Sequence, residues 1–316
     1  MKKILITGAA GFIGNHLINH MADMKYQFIL LDNFSRGKKD KAFKDIIKKK
    51  NVKLINVNLV KPYKLKFRNI KYVFHLAAKV GVKNVVKKPS ETINDNLLML
   101  INTIKAVKYQ NKNAKFIFFS TSEVYSPLID TNVAKFPLNE DVNLIIKKNT
   151  KARDSYYISK LVGEKIVELS GLKYLNLRPH NIYGTRMGFS HVIPELIRKF
   201  MTGSKNIKIY SPAHTRAFCY VDDAINQMVN LALNKNAKNK AFNIGNNTEE
   251  IKIIELANKI KKLLPSTKKI IRGSVTPGSP KRRVPDLKLT KKFSRISKFT
   301  NLNKGLKKYI SWFLNS

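Results

Sequence analysis

The sequence has a single cysteine and few acidic residues, and each shortage excludes a class of protein. Because Cys219 is the only cysteine among 316 residues, the chain can form neither an internal disulfide nor a cysteine-rich metal site. We therefore predict no metal and expect a reducing compartment, the cytoplasm. Only 20 Asp and Glu residues oppose 61 Lys and Arg residues, so the formal net charge is +41.

This charge does not come from one basic patch or tail. The lysines are spread along the chain among Asn and Ile, as in KAFKDIIKKKNVKLINVN. The sequence contains no zinc-finger spacing and no RNP-like aromatic motif, so we do not expect nucleic acid to be the partner. A basic nucleic-acid-binding protein is kept as an alternative. A basic surface would instead raise the encounter rate with an anionic substrate, and salt would weaken that effect.

Long hydrophobic runs are also lacking, so we predict no membrane span. The N-terminal segment MKKILITGAAGFIG begins like a signal peptide. Thr7 and three glycines interrupt its apolar run, however, and no convincing small-residue cleavage site follows. Hydrophobic residues still make up 43% of the chain, which is typical of a globular protein with a large core.

Strand-like and helix-like segments alternate through the first half of the chain. KKILITG, QFILLDN, KYVFHLAA and KFIFFSTS are apolar enough for buried strands, whereas FIGNHLINHMAD and ETINDNLLMLINTIKAVKYQ have helical spacing. Strands that are apolar on both faces predict a parallel sheet covered by helices on both sides, the Rossmann-type doubly wound α/β fold. The pattern is less regular after residue 180. We therefore predict a sheet domain over 1–180 and a smaller C-terminal α/β lobe, mainly 181–316 and interleaved with the sheet domain.

The segment TGAAGFIG places Gly8, Gly11 and Gly14 between the first strand and the first helix. Such a turn lets the backbone approach a pyrophosphate, and the helix N-terminus offers free N–H groups. Asp32 ends the second strand, where a carboxylate can bind the adenosine ribose and repel a 2′-phosphate. The pattern favours NAD over NADP, although Arg36 nearby could accommodate a 2′-phosphate.

The segment RDSYYISK contains two tyrosines and one lysine. Residues four apart share a helix face, so Tyr156 has Lys160 beside it, whereas Tyr157 has Leu161. An adjacent ammonium group lowers the pKa of a phenol. We therefore predict that Tyr156 has a lowered pKa and is the catalytic tyrosine, and that Tyr157 packs elsewhere.

The motifs TGAAGFIG, HLAA, STSEVY and Y-x-x-x-K follow one another, and RPHNIYG, TRAFCYVDD, AFNIGN and RRVPD come after them. Together they resemble the extended short-chain dehydrogenase/reductase family over nearly the whole chain. The resemblance is to its NAD-dependent nucleotide-sugar epimerases, dehydratases and decarboxylases, including UDP-glucuronate decarboxylase-like members. It implies an enzyme that binds a nucleotide-diphosphate sugar and transiently oxidises the sugar at C4, so that NAD is recycled.

The resemblance also implies roles for individual residues. Tyr156 would take the proton of the 4-hydroxyl, Thr121 would bind that hydroxyl, and Lys160 would hold the phenolate and the nicotinamide ribose. With Tyr156 and Lys160, the residues expected at NAD are Gly8, Gly11, Phe12, Ile13, Gly14, Asp32, Asn33, Asn58, Leu59, Leu76, Ala77, Ala78, Lys79 and Asn96. Asn58 stands where many relatives carry an aspartate, and Ser126 stands where they usually carry glycine, which would alter the local contacts.

The C-terminal lobe is expected to hold the substrate. Arg216 and Arg283 would grip the diphosphate and Asp286 a ribose hydroxyl, while Tyr210 would pack on the base. Two alternatives are that Tyr210 belongs to the core and that Arg282 and Arg283 form a solvated pair. The residues expected at the substrate are Ser122, Asn181, His191, Val192, Tyr210, Arg216, Arg283 and Asp286.

Glu123 bears on the reaction that follows oxidation. Dehydratases of this family typically carry an Asp–Glu pair after the threonine, and here Thr121 is followed by Ser122 and Glu123. This pattern resembles that of uronic-acid decarboxylases, whereas an epimerase would not need Glu123. We expect first a UDP-sugar 4-epimerase, then a UDP-glucuronate decarboxylase and then a 4,6-dehydratase, with a non-catalytic NAD-binding protein as a further alternative. By analogy, we expect a homodimer through helices around 91–109 and 154–169.

Overall fold

A computed structural model describes residues 1–276 and 278–315, except for the side chains of residues 82–84. The strands are β1 (Lys3–Thr7), β2 (Gln27–Asp32), β3 (Val52–Asn56), β4 (Ile70–His75), β5 (Lys115–Phe119), β6 (Lys173–Pro179), β7 (Ile182–Tyr183), β8 (Asn206–Ile209), β9 (Thr215–Ala217), β10 (Cys219–Tyr220), β11 (Lys240–Ile244), β12 (Glu250–Lys252), β13 (Lys269–Arg272) and β14 (Arg282–Arg283). The helices are α1 (Phe12–Met21), α2 (Lys41–Ile47), α3 (Val82–Lys87), α4 (Pro89–Gln110), α5 (Ser126–Asp130), α6 (Asp154–Glu168), α7 (Val192–Thr202), α8 (Val221–Leu233), α9 (Ile253–Leu263), α10 (Lys288–Ser294) and α11 (Leu302–Leu314), with a 3₁₀ turn at Ser122–Tyr125.

The main sheet has seven strands in the order β11-β6-β5-β4-β1-β2-β3, and every neighbouring pair is parallel. The order reverses direction at β1, which makes the sheet doubly wound and creates a crevice at the carboxyl ends of β1 and β4. The predicted fold class is therefore confirmed. Within the described ranges, no helix combines the length and hydrophobicity needed to cross a bilayer.

Both faces of the sheet are buried, as the apolar strands predict. Ile4 and Ile6 of β1 pack with α1 and α8 on one face, whereas Leu5 between them packs with α4 and the end of α6 on the other. Alternation along the strand directs successive side chains to opposite faces. Helices α4 and α6 pack closely on each other, and α6 begins just before Tyr156.

The C-terminal part of the chain interleaves with the sheet. Strand β11 forms the sheet edge beside β6, with Phe242 opposite Leu177. The remaining late strands form small sheets, β12-β9-β14, β10-β7 and β13-β8. Because β11 comes from the C-terminal part of the chain and pairs with β6, the two lobes are interleaved. The boundary at residue 180, which separates cofactor binding from substrate binding, stays a prediction.

One side of the crevice is bridged between the two lobes. The His16 ring lies 2.9 Å from the Thr185 carbonyl oxygen, which connects α1 to the loop after β7. Arg186 in the same loop forms an ion pair with Asp40 and donates a hydrogen bond to the Ala10 carbonyl. Because Ala10 belongs to the glycine-rich turn, the second lobe directly supports that turn.

A buried lysine caps helix α8. Lys115, the first residue of β5, directs its Nζ to the carbonyl oxygens of Leu231, Ala232 and Asn234 at distances of 2.9 to 3.1 Å. The last carbonyls of a helix have no intrahelical partner and carry partial negative charge. The ammonium group therefore satisfies the C-terminal end of α8 and attaches it to the sheet.

We predict that Lys115→Met destabilises the protein, because three buried carbonyls lose their donor. The expected loss in the free energy of unfolding is about 3 kcal/mol, from charged hydrogen bonds and unsatisfied acceptors. Chemical denaturation would measure it. Lys112→Met, which removes the same charge from an exposed turn residue, should change the free energy of unfolding by less than about 0.5 kcal/mol. Equal effects of the two substitutions would contradict the capping role.

Candidate active site

The glycine-rich turn is shaped for close approach of a ligand to the backbone. Gly8 has φ +67°, and a Cβ there would lie 2.9 Å from the Ala77 nitrogen. A Cβ on Gly14 would lie 2.6 Å from the Ala9 carbonyl oxygen. Helix α1 starts at Phe12 and its first turn contains no acidic residue, so its N–H groups form an anion-binding end as expected for a pyrophosphate.

Asp32 lies at the end of β2 beside this turn. Its carboxylate oxygens accept hydrogen bonds from the backbone nitrogens of Ala10 (2.9 Å) and Phe34 (2.8 Å). A carboxylate has further lone pairs, so a contact with a ribose remains compatible with this geometry. Asn33 and Asn58 each use the side-chain oxygen to accept from the backbone two residues on.

The loop after β4 is held by a short chain of polar contacts. The Thr7 hydroxyl lies 3.1 Å from the ring of buried His75 and accepts a hydrogen bond from the Ala77 nitrogen. Burial lowers the pKa of His75 to about 3, so its ring is neutral. These contacts fix the positions of Leu76, Ala77 and Ala78 against the glycine-rich turn.

Asn96 connects the same loop to the catalytic helix. Its side chain accepts from the Lys79 nitrogen at 2.6 Å and donates to the Lys79 carbonyl and to the Ser159 hydroxyl. The Ser159 hydroxyl donates in turn to the Tyr156 carbonyl. The Lys79 ammonium forms an ion pair with Asp95 and is therefore not free for a ligand. Through these hydrogen bonds, Asn96 connects the loop at the expected NAD site to α6.

The predicted catalytic side chains converge at the crevice. Thr121 caps the 3₁₀ turn by accepting from the Glu123 nitrogen at 3.2 Å, and its hydroxyl lies near Tyr156 and lowers the pKa of that phenol. Lys160 is buried, donates from Nζ to the Phe119 carbonyl at 2.7 Å and lies 6.0 Å from the centre of the Tyr156 ring. The arrangement brings a phenol, a hydroxyl, a carboxylate and an ammonium group together.

The predicted direction of the Tyr156 pKa shift is wrong. Burial and the charge of Glu123 raise the pKa of Tyr156 well above its usual value, and Arg36 and the Thr121 hydroxyl only partly oppose them. Lys160 contributes little because burial also lowers its own pKa, to about 7, which reduces its charge near neutral pH. The Tyr156 phenol is therefore protonated at neutral pH.

Tyr157 points into a different environment. Its side chain is buried, 2% exposed, and its hydroxyl lies 3.5 Å from the Lys147 nitrogen. Burial raises the pKa of Tyr157. It packs away from Lys160, as the four-residue spacing predicts.

Strand register brings two arginines together in the second lobe. β14 pairs with β9 in parallel, and Arg283 is the direct partner of Arg216. Arg216 donates to the Thr215 carbonyl and the Ser279 hydroxyl, and the buried Nε of Arg283 has no acceptor. Burial and mutual repulsion lower the pKa of Arg216 to about 9, and the nearby charge of Glu123 partly opposes the lowering at Arg283.

Arg282, next to Arg283, faces the other way because strand side chains alternate. It donates to the Glu250 carboxylate at 2.8 and 2.9 Å. The backbone of Leu138 fixes the register of this segment. Its nitrogen donates to the Val284 carbonyl, and its carbonyl accepts from the Asp286 nitrogen. The two arginines therefore do not form one solvated pair.

The motif reasoning missed Arg153 as a site residue. Arg153 immediately precedes α6, and its charge lowers the pKa of both Arg216 and Arg283. Within residues 1–276 and 278–315, no carboxylate forms an ion pair with any of these three arginines. Its place three residues before Tyr156 in RDSYYISK was the signal that the sequence offered. We name Arg153, Arg216 and Arg283 the arginine cluster.

Other predicted substrate residues lie at varying distances from this cluster. Asn181 donates to the Ala217 carbonyl, next to Arg216. His191 immediately precedes α7, and burial and the charge of Arg36 lower its pKa while Glu123 opposes the lowering. Tyr210 lies on an exposed rim beside Lys199, so it is not a core residue. Ser122 is buried in the 3₁₀ turn and Val192 starts α7.

Asp286 is turned toward the helix that follows it. Its Oδ1 accepts from the Lys288 nitrogen at the start of α10, and its carboxylate faces Glu140. Both acidic residues line a cavity of about 250 Å³ with Asn139 and Lys292. A contact between Asp286 and a ribose stays a prediction, whereas its local role is to cap α10.

The residues that are present fit an NAD cofactor. The glycine-rich turn forms a cradle that a Cβ would fill, Asp32 lies at one end, and Tyr156 and Lys160 lie at the other. This arrangement matches the crevice at which doubly wound sheets bind dinucleotides. Glu123 and the arginine cluster lie close together, since the charges of Glu123 and Arg153 both act on Arg283.

Comparisons with known proteins give the same assignment. The sequence model of the NAD-dependent epimerase/dehydratase family matches residues 4–245. The chain is 31% identical to UDP-N-acetyl-alpha-D-glucosaminuronate decarboxylase of Bacillus cytotoxicus, over 99% of this chain and 98% of that protein. It resembles the crystal structure of UDP-glucose 4-epimerase from Thermotoga maritima with UDP-glucose (26% identity, TM-score 0.83, 99% of both chains). It also resembles UDP-glucuronic acid 4-epimerase from Bacillus cereus in complex with UDP-glucuronic acid and NAD (25% identity, TM-score 0.82, 99% of both chains). The chain therefore belongs to the NAD-dependent epimerase/dehydratase family and is an NAD-dependent enzyme of nucleotide-sugar metabolism.

Proposed function

We propose that this enzyme decarboxylates a UDP-linked hexuronic acid after oxidation at C4. The observation that carries the proposal is the arginine cluster, in which Arg153 adds a third unpaired cation to the two expected for a diphosphate. A UDP-uronate carries two charges on its diphosphate and a third on its C6 carboxylate. A UDP-sugar without the C6 carboxylate would leave one partly buried guanidinium of the cluster without a counter-charge.

Glu123 and Arg283 support the same reading. The charge of Glu123 acts on both Arg283 and Tyr156, so a carboxylate and a guanidinium lie close to the site of oxidation. The relative with 31% identity is itself a UDP-sugar uronate decarboxylase. The Thr121–Ser122–Glu123 sequence also lacks the Asp–Glu pair expected of a dehydratase.

The catalytic residues divide the proton chemistry among them. When bound, NAD⁺ accepts the hydride from C4 and later returns it. Tyr156 takes the proton from the 4-hydroxyl, and Thr121 holds that oxygen. Lys160, fixed by the Phe119 carbonyl, orients the phenol and binds the nicotinamide ribose.

The second step follows from the chemistry of a β-keto acid. With a ketone at C4, the C5–C6 bond breaks, its electron pair forms an enolate over C5, C4 and O4, and CO₂ leaves. Tyr156 and Thr121 stabilise the charge on O4, and C5 then accepts a proton. Arg153, the third cation, holds the carboxylate in place before the bond breaks. Glu123, whose charge reaches both Tyr156 and Arg283, positions the sugar for that step.

A UDP-sugar 4-epimerase is the second candidate. The likeness to the Thermotoga maritima epimerase over 99% of both chains favours it. An epimerase needs the Tyr156–Thr121 pair but makes no demand on Glu123 or on a third arginine. The two functions therefore differ in the residues they require.

A homodimer through α4 and α6 is part of the same proposal. These helices pack on each other, and Tyr109 at the end of α4 and Leu169 just after α6 are 79% and 87% exposed. Exposed apolar residues at adjacent helix ends support an interface there. Analytical ultracentrifugation would determine the oligomeric state, and a cytoplasmic location remains an expectation.

Product analysis tests the reaction directly. We expect the purified protein with NAD⁺ to convert UDP-glucuronate or UDP-N-acetylglucosaminuronate into a product lighter by the mass of CO₂, identified by mass spectrometry and NMR. UDP-glucose and UDP-N-acetylglucosamine serve as neutral controls. A product of unchanged mass with a new configuration at C4 would establish the epimerase instead.

Replacing each of the adjacent tyrosines tests the catalytic assignment. Tyr156→Phe should lower the turnover rate by about 10²- to 10⁴-fold, because the proton acceptor at O4 is lost, while NAD binding is retained. Tyr157→Phe removes only a hydroxyl at 3.5 Å from the Lys147 nitrogen and should be mild. Comparable activity of the two variants would refute the assignment.

Arg153→Met tests the third charge. We expect it to weaken binding of UDP-glucuronate by about 10- to 100-fold, the effect of losing a charge-assisted hydrogen bond, and to change binding of UDP by less than about threefold. Isothermal titration calorimetry would measure both. Arg282→Met, which removes a neighbouring arginine already paired with Glu250, is the matched control. An equal loss for UDP and UDP-glucuronate would place Arg153 at the diphosphate and remove the main support for a uronate substrate.

A further inference from the structure

Arg36 is a cleft-facing cation with no assigned role. It lies in the loop between β2 and α2, in the segment that follows Asp32. The next residue, Gly37, packs directly on the glycine-rich turn, because a Cβ there would lie 2.5 Å from the Cβ of Ala10. The backbone of Arg36 therefore starts beside the turn that receives the pyrophosphate.

The Arg36 side chain extends across the crevice. Its NH2 atom lies 3.9 Å from where a Cβ of Gly188 would be, and Gly188 belongs to the second-lobe loop that also carries Arg186. Arg36 also lowers the pKa of Tyr156 and of His191, which requires proximity to both. The guanidinium is thus directed toward the catalytic tyrosine and not toward the Asp32 end of the site.

Arg36 also lacks a partner. Within the described ranges, no carboxylate forms an ion pair with it and no group accepts a hydrogen bond from its side chain. The neighbouring cations are occupied: Arg186 pairs with Asp40, and Lys79 pairs with Asp95. Burial within the crevice lowers the pKa of Arg36, while its side chain stays accessible to solvent. A free guanidinium in this setting is suited to an anionic ligand.

The position along the crevice selects the anion. A dinucleotide runs from Asp32, which lies at the ribose, past the N-terminus of α1, which lies at the pyrophosphate, to Tyr156. The backbone of Arg36 lies beside the pyrophosphate position, and its side chain extends toward Tyr156. The segment TGAAGFIG contains no lysine or arginine, so the turn offers only backbone N–H groups and the helix dipole.

We propose that Arg36 binds the pyrophosphate of NAD as a forked donor and holds the cofactor against the glycine-rich turn. The inference rests on the NAD dependence of the family and is independent of the reaction proposed above. It also excludes Arg36 as the recognition residue for a 2′-phosphate, because the guanidinium extends away from the ribose end. Arg36 is then a cofactor-binding residue that adds a full positive charge where the turn supplies partial charges.

The test is nucleotide binding to the full-length protein after bound nucleotide has been removed. We expect Arg36→Met to weaken NAD⁺ and ADP-ribose equally, by about 10- to 100-fold, in isothermal titration calorimetry. ADP-ribose keeps the pyrophosphate and lacks nicotinamide, so an equal loss locates the contact. Arg36→Lys should lose less, because a point charge is retained without the fork. The affinity ratio of NADP⁺ to NAD⁺ should not change.

Lys39→Met is the matched control. It removes the same charge from the same loop, at a side chain whose Nζ lies 4.2 Å from the centre of the Phe34 ring, and it should leave NAD⁺ affinity within about twofold. Thermal unfolding without nucleotide, expected to be the same for all variants, verifies the fold. A selective loss of NADP⁺, a loss of UDP binding or unchanged NAD⁺ affinity in Arg36→Met would each overturn the proposal.

Discussion

The buried ion pair between Arg178 and Glu164 is the interaction on which the site depends. Arg178 donates to both carboxylate oxygens of Glu164, at 3.0 and 2.8 Å, and to the hydroxyl of Tyr125 at 2.7 Å. Glu164 also accepts from Ser120, the residue before Thr121. One carboxylate therefore connects α6, β6 and the turn that holds Thr121 and Glu123. Burying these charges is costly, so removing one partner alone would leave the other unpaired.

The same network extends to the substrate lobe through Asn243. Its side chain binds Tyr125, His180, the Leu138 carbonyl and the Asp286 carbonyl, and its backbone nitrogen donates to Glu140. Asn243 belongs to β11, which is the last strand of the seven-stranded main sheet in chain order. The predicted catalytic helix and the segment that carries Arg283 are thus connected by one set of buried hydrogen bonds.

The parts predictable from the sequence are those set by local spacing. The glycines, the apolar strands and the four-residue step from Tyr156 to Lys160 depend on turn geometry, sheet burial and the helical repeat. The choice of which arginine of the pair Arg282 and Arg283 lies opposite Arg216 depends on which strands pair and in which register. Neighbouring residues in the sequence do not specify such pairings.

The error in the Tyr156 pKa has a similar cause. Sequence spacing identified the ammonium group beside the phenol, but the balance is decided by burial, by Glu123 and by Arg36, which lie far away along the chain. Burial also lowers the charge of Lys160 itself. A pKa depends on all the groups around a residue. A pair of neighbouring residues can therefore be identified correctly while the predicted direction of the pKa shift is wrong.

The hydrogen bonds of Leu138 to Val284 and Asp286 have a consequence for how the site could change. These hydrogen bonds set the register of β14, and they thereby determine which of two consecutive arginines faces the crevice. A shift of one position would exchange the directions of Arg282 and Arg283, and a guanidinium would still face the ligand. The doubled arginine thus makes the charge of the crevice tolerant of small errors in strand register. The groups that now lie near Arg283, Glu123 among them, would then lie near Arg282 instead. A change in the length of a loop far from the site, by shifting β14, can therefore alter the reaction while ligand binding is retained.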